Sequence, residues 1–291
     1  MLPGGHARVR ATDPSGRYIV GFRLAGEKST VVLWTDGERR DLAVDGSPVA
    51  VNANGVIVGY SGSDDTSSAW IYRDGHATPL PKPTGYGGTM VLGVNTRGDA
   101  VGYAMQGALD RNVPVYWPAD QPGTVRKLTV PSNLGDHSMS AMRASGINDD
   151  RTIVGWARGV PVRWTPDGAP HALPLPGGYT MGTPQHVRGR YAYGNAGRIG
   201  DGRLPVVRWD LVAGTATVVV DGVFQVADGT PTGQTLAGDL ESADELIEPD
   251  GTRMRLPEPE ETIMAWSISD DGKTIVGSAG PEGDTPVIWR C

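Results

Sequence analysis

One phrase recurs along the chain and constrains what it can fold into. It reads Gly146-Ile147-Asn148-Asp149-Asp150-Arg151-Thr152-Ile153-Val154-Gly155-Trp156: an apolar strand end, a polar turn, then a second strand interrupted by glycine. The phrase returns at 51–60, 94–103 and 268–278, and a first version occupies 12–22. A hairpin repeated in this way is the mark of an architecture built from stacked supersecondary units.

With the glycine of the Ile-Val-Gly phrase as a marker, copies fall at Gly21, Gly59, Gly102, Gly155, Gly194, Gly238 and Gly277, with spacings of 38, 43, 53, 39, 44 and 39 residues. Each spacing suits one four-stranded propeller blade. A second marker follows each glycine: an aromatic or Ile that ends a strand before a turn, as in Trp34-Thr35-Asp36-Gly37, Tyr72-Arg73-Asp74-Gly75 and Trp164-Thr165-Pro166-Asp167-Gly168. Asp-Gly supplies the positive φ that tight hairpins require. A third marker is a short strand closing on Leu-Pro, at Leu80-Pro81, Leu173-Pro174 and Leu256-Pro257. Each repeat thus has strands a, b, c and d, with two apolar faces that one unit cannot bury alone.

The fold expected is all-β: a seven-bladed β-propeller of four-stranded antiparallel blades, with the ring closed near the termini. The whole chain, 1–291, forms one domain with repeats at about 6–46, 47–88, 89–140, 141–182, 183–222, 223–262 and 263–291. The last repeat stops at the end of strand c, while the chain begins with Leu2-Pro3-Gly4-Gly5, matching Leu175-Pro176-Gly177-Gly178 just after a strand d. Residues 1–5 are therefore expected to help close the ring, in a blade that is otherwise three-stranded. Blades five and six lack the Asn turn, having His186-Val187-Arg188-Gly189-Arg190 and Asp228-Gly229-Thr230-Pro231-Thr232-Gly233 in its place.

The phrases at 146–155 and at Val32-Leu33-Trp34-Thr35-Asp36-Gly37 resemble the HAF repeat, whose units read roughly G-I-N-D-x-G-x-I-V-G followed by A-F-L-W-x-D-G. The resemblance covers the whole chain and is strongest in blades one to four and seven. It implies a propeller of bacterial, often exported type. It carries no catalytic residues, because the motifs are structural.

Composition narrows the function classes. The 42 glycines and 23 prolines, interleaved with Val/Ile/Thr/Trp runs, fit many short strands and tight turns. A net charge of −7 argues against a nucleic-acid partner, which asks for a basic face. Residues 239–291 hold thirteen acidic and four basic side chains, a balance of −9, so residues 1–238 sum to +2. No apolar run approaches the 18 to 20 or so residues of a membrane span. Cys291 is the only cysteine, which excludes an intramolecular disulfide and a thiolate-rich metal site. Residues 1–5 lack the features of a signal peptide, so the expectation is a cytoplasmic protein, or a secreted one whose leader has been removed. A monomer is expected, with no cofactor and no membrane partner.

Chemistry is sought where d-to-a and b-to-c loops open onto one mouth of the axial channel. His137, following Asp136 in a long polar loop, is the candidate general acid/base. Glu260 is a second candidate base; a solvated loop is the plainer reading of both. Arg8, Arg10 and Arg143 sit on strand a where other repeats are mostly apolar, and charge there must reach the channel or a partner. They are candidate anion ligands, with Arg111 beside them. His6 and His186 are candidates facing the same mouth, Tyr86 and Tyr179 lie in its loops, and Trp266 is placed to stack on a ligand. Asp149-Asp150 and Asp270-Asp271 lack calcium-loop spacing and read as turn residues, so no metal site is expected. Two functions follow. One is a non-catalytic propeller binding a small polar or anionic ligand, or a protein partner, at one mouth. The other is an enzyme with its site in the channel, a lyase, cyclase or hydrolase using a loop His or carboxylate for proton transfer and Arg to hold substrate.

Overall fold

The computed structural model describes residues 1–3, 5–26, 28–63, 66–107, 112–132, 134, 141–198, 200–222, 224–238, 245–257 and 263–290. Their strands form seven antiparallel sheets, six of four strands ordered a-b-c-d from the inside outward and one of three ordered a-b-c. Together they make a seven-bladed β-propeller. The innermost strands are Arg8–Thr12, Ser47–Val51, Gly88–Val94, Met142–Ile147, Met181–Arg188, Gln225–Gly229 and Ile263–Ile268.

Every inner strand carries a β-bulge against strand b. In blade one Val9 pairs with Gly21 and Ala11 with Val20, leaving Arg10 as the extra residue. The same offset leaves Val49, Leu92, Ser145, Gln185, Ala227 and Trp266 as the extra residues of blades two to seven. The marker glycine sits opposite this bulge. A Cβ at Gly102 would fall against the Met90 carbonyl oxygen, and one at Gly155 against that of Arg143. Blade six corrects the sequence reading, since there Ala237, not Gly238, pairs with Val226 at the equivalent position.

The a-to-b turns tie neighbouring blades together. Asn52 is almost fully buried. Its Oδ1 accepts from the N–H groups of Asn54 (2.9 Å) and Val56 (3.0 Å), closing its own turn. Its Nδ2 donates to the Asn95 carbonyl of the next blade at 2.7 Å. Asn95 does the same to the Asn148 carbonyl (3.2 Å), and Asn148 to the Gly189 carbonyl (3.0 Å). The Asn repeat is thus a belt of inter-blade hydrogen bonds as well as a turn signal. Asn52→Ala leaves the Asn54 and Val56 amides without their acceptor and cuts the link to the Asn95 carbonyl, which keeps the Gly98 N–H. It is expected to cost about 2–3 kcal/mol, read as a shift of the urea midpoint at unchanged m-value.

The outer side has its own latch. The tryptophan that ends strand c donates its indole N–H to a carbonyl in the preceding blade: Trp117 to Pro81 (2.7 Å), Trp164 to Thr129 (2.6 Å), Trp209 to Pro174 (2.7 Å) and Trp289 to Pro257 (2.8 Å). Trp70, earlier in the strand c of blade two, has no partner for its N–H. This explains the Leu-Pro marker, since the leucine packs in the core and the proline carbonyl takes the indole. Tyr72 and Ile247 hold the equivalent places in blades two and six. Blade one completes the set through the N-terminus, with Trp34 donating to the Pro3 carbonyl at 3.0 Å. Leu2 and Ala7 donate their backbone N–H groups to the carbonyls of Pro286 in the last strand and of Asp284 just before it, at 3.0 and 2.7 Å. The N-terminal segment therefore borders the three-stranded blade and presents to Trp34 what a d strand presents elsewhere.

Candidate functional site

The inner strands enclose a channel cavity of about 310 Å³ that opens at the a-to-b turns. That is the face opposite the d-to-a and b-to-c loops favoured by the sequence. Its wall at this end is built from Asp149, His186, Arg188, Asp228 and Asp270, contributed by four blades.

Asp228 is the centre of the group and is 2 % exposed. It accepts from Ser267 Oγ at 2.8 Å, from the Ile268 N–H at 3.3 Å and from its neighbour Gly229 at 2.9 Å. The Arg188 guanidinium pairs with it at 3.1 Å and reaches Asp270 at 3.6 Å. His186 Nδ1 lies 3.8 Å from Asp228, close enough for charge interaction and too far for a hydrogen bond. Burial alone would raise the Asp228 carboxyl, but Arg188, His186 and the Ser267 hydroxyl hold it below the ordinary range. Burial pushes His186 down, so the imidazole is held neutral. Its side chain keeps 36 % exposure because it lines the open cavity, although protein surrounds it on the other sides.

Asp270 behaves in the opposite way. Burial, then the nearby Asp228, Asp149 and Asp13 charges, raise its carboxyl against the pull of Arg188. Its Oδ1 is buried and has no hydrogen-bond partner. The backbone holds it in place, the Asp270 N–H donating to the Pro14 carbonyl of blade one at 2.8 Å. Asp271, not Asp270, serves the turn by accepting from Ser269 Oγ (2.6 Å) and the Lys273 N–H (3.0 Å).

Toward the other mouth two inner-strand arginines pack on aromatic rings, and of these Arg10 and Trp266 line the cavity. The Arg10 guanidinium lies 5.2 Å from the ring centres of both Phe22 and Trp266. That of Arg143 lies 4.2 Å from Trp156 and 5.4 Å from Tyr103. Burial lowers both. Among the described residues neither forms an ion pair. Tyr60 interacts electrostatically with Arg10 and with Tyr103, which places it on the arc between the two arginines. Cation–π contact stabilises a guanidinium without neutralising it, so both keep a charge available to a ligand.

The remaining sequence candidates disperse. Arg8 donates to the Glu282 carbonyl at 2.9 Å, beside a second cavity of about 260 Å³ shared with Arg10 and Trp266. His6 pairs with Asp284 at 2.7 Å with its side chain 87 % exposed, at the b-to-c end, whereas His186 is at the a-to-b end; the two do not share a mouth. Tyr86 packs against the core between blades two and three with Lys127 over its ring, and Tyr179 donates to Asp221 at 3.2 Å. His137, Asp136, Glu260 and Arg111 lie outside the described residues. Sequence reasoning missed Arg188, Asp228 and Asp270. The available signal was a charge at the end of an inner strand in blades five and six, where the Asn turn is absent. Among the described residues no group of three or more His, Cys, Asp or Glu is placed to hold a metal ion.

No family model matches the sequence, and no curated protein does. Solved structures do. A catalytically inactive histidine-to-alanine variant of virginiamycin B lyase from Staphylococcus aureus, solved with quinupristin, superposes with a TM-score of 0.63 at 12 % identity, over 100 % of this chain and 97 % of that one. The kinship is one of fold. The Cps50 (Swd1) propeller domain of Myceliophteria thermophila gives 0.63 at 13 % identity, over 100 % and 98 % of the two chains. Oligogalacturonate lyase from Vibrio parahaemolyticus gives 0.60 at 9 %, over 99 % and 91 %. These propellers differ in what they do, and fold does not transfer function.

Proposed function

We propose that this protein binds a small anionic molecule in its axial channel, with Arg10 and Arg143 as the anion ligands. The observation that carries the reading is the pair of half-buried guanidiniums on inner strands, packed on aromatic rings with no ion pair among the described residues. Desolvated cations left uncompensated in a protein wall are costly, and an incoming carboxylate or phosphate removes the cost. The aromatic shelves of Trp266, Phe22 and Trp156 favour planar or apolar substituents on that anion. The test is thermal denaturation of wild type, Arg10→Gln and Arg143→Gln against a panel of small carboxylates and phosphates. A ligand at a hundredfold excess over its Kd stabilises by about 2.7 kcal/mol, and each glutamine variant is expected to lose most of that. A panel that stabilises wild type and both variants equally refutes the assignment.

A second reading, an enzyme of the lyase, cyclase or hydrolase type, is favoured by one further observation. A neutral-held imidazole and a carboxylate raised toward neutrality flank the same Arg188–Asp228 pair, which is the arrangement needed to move a proton in both directions. Turnover of a channel ligand that survives Arg10→Gln at reduced affinity and vanishes in His186→Gln would establish it. We also propose the HAF-type repeat as the unit of the chain, on the strength of the recurrent phrase and its role in the inter-blade belt.

A further inference from the structure

The cavity that opens at the a-to-b turns is electrically two-ended. One end holds Arg10 and Trp266; the other holds Asp270, with Asp149 and Asp228 nearby and Arg188 as the opposing cation. The Asp149 carboxylate is already engaged by the Thr96 N–H and Oγ1, at 2.8 and 2.9 Å, and Asp228 is satisfied by its own donors. Asp270 is different: its Oδ1 is buried and accepts nothing, and Arg188 stands 3.6 Å away, beyond hydrogen-bond range. Level with the Arg10 end, the facing wall contributes Ser145, the bulge residue of blade four as Arg10 and Trp266 are of blades one and seven, 7 % exposed and with its Oγ unpartnered. A buried hydroxyl without a partner and a buried carboxylate oxygen without a donor, on one cavity, are places where a ligand's polar atoms are missing.

Resting on the anion-binding reading above, we propose that the channel ligand is a zwitterion, a short peptide or a molecule of like length, with its carboxylate on Arg10, its ammonium on Asp270 and a polar group near its carboxylate end on Ser145. The poles set the length. Three residues of blade seven lie between Trp266 and Asp270, four steps of chain that span at most about 13 Å when extended. Side chains reach in from both ends, which leaves on the order of 10 Å between the charges, the span of about three extended residues. The cavity volume of about 310 Å³ is at the small end of ligand sites, which excludes longer chains from full enclosure. An ammonium supplies the N–H donor that Asp270 lacks and offsets the repulsion from Asp149 and Asp228, while Arg188 stays committed to Asp228.

Calorimetry with tri-alanine, N-acetyl-tri-alanine and tri-alaninamide tests this on wild type, Arg10→Gln and Asp270→Asn. Tri-alanine is expected to bind wild type and each blocked peptide to lose at least tenfold in affinity. Asp270→Asn is expected to abolish the loss caused by acetylation and leave the loss caused by amidation; Arg10→Gln is expected to do the converse. If the acetylated peptide binds as tightly as tri-alanine, the ammonium assignment is overturned while the anion reading stands. If the amide binds as tightly, the anion reading itself falls. If none of di-, tri- and tetra-alanine binds, the zwitterion proposal is overturned, and the separate carboxylate panel still decides whether the arginines hold an anion. Circular dichroism of both variants confirms that the propeller is intact.

Discussion

Removal of residues 1–5 is expected to lower the unfolding free energy by about 4 kcal/mol, the largest effect of any change remote from the channel. Leu2 is 6 % exposed in a cluster with Val9, Trp34 and Val276, which joins blades one and seven. Deleting a buried leucine side chain costs about 2–3 kcal/mol in a site that relaxes poorly. Loss of Pro3 leaves the Trp34 indole N–H, buried in the same cluster, without its acceptor, for about 1–2 kcal/mol more. The seam also loses the Leu2 to Pro286 hydrogen bond, exposing the last strand as an open edge and favouring association. Urea denaturation of the truncated protein beside Leu2→Ala separates the terms, with Leu2→Ala accounting for more than half. An unchanged midpoint in both would show that the ring is held shut by its other six interfaces alone.

The second large effect sets two carboxylates on one arginine against each other. Asp228→Asn or Asp228→Ala is expected to cost about 3–5 kcal/mol, because Arg188 is left as a desolvated cation without its main partner. Asp270→Asn is expected to be neutral or to gain under about 1 kcal/mol at pH 7, solvent screening limiting the effect of a side chain that is 38 % exposed. The signs follow from the titration. Asp228 is depressed in the folded protein, so its contribution is complete above the unfolded value near 3.9 and is lost as pH falls through the lower folded value. His186 is also depressed; protonation is easier in the unfolded chain, so stability declines as pH falls below about 6.5. Asp270 is raised, so the folded state holds that proton more tightly and loses stability as pH climbs through its folded value. A stability profile from pH 3 to 8 is expected to be shallower on the acid side for His186→Gln, and to shift in opposite senses for Asp228→Asn and Asp270→Asn. Equal and same-signed shifts for the two aspartates would contradict this account. A carboxylate that destabilises its own fold at neutral pH is a common sign of a site kept for a ligand.

The propeller was legible in the sequence because its signals are local. A glycine opposite a bulge, an Asp-Gly hairpin and an aromatic strand end are each decided within a dozen residues, and seven near-periodic copies leave a ring as the way to bury both faces of every sheet. The Asn turn was legible for the same reason, but only its inward half. The Asn52 Oδ1 bonds join neighbours two and four residues on, whereas its Nδ2 bond reaches a carbonyl forty-three residues away in sequence. In blade six the local phrase misled by one position, since the bulge there faces Ala237 and a periodic glycine elsewhere in the strand carries no register by itself.

The channel was decided by tertiary structure alone. Asp270 and Asp271 are adjacent and both read as turn residues, yet Asp271 accepts from the Lys273 N–H and Ser269 Oγ of its turn, while Asp270 faces a cavity walled by the inner strands of all seven blades. Arg10 and Trp266 are far apart in sequence and meet because ring closure brings the first and last blades into contact. The sequence by itself determined the repeat, the number of blades and the closing role of the N-terminus, because hydrogen bonding and strand alternation act over short stretches of chain. Tertiary structure decided which charges lack partners, because a guanidinium or carboxylate is compensated or left open only by what the neighbouring blades set in front of it.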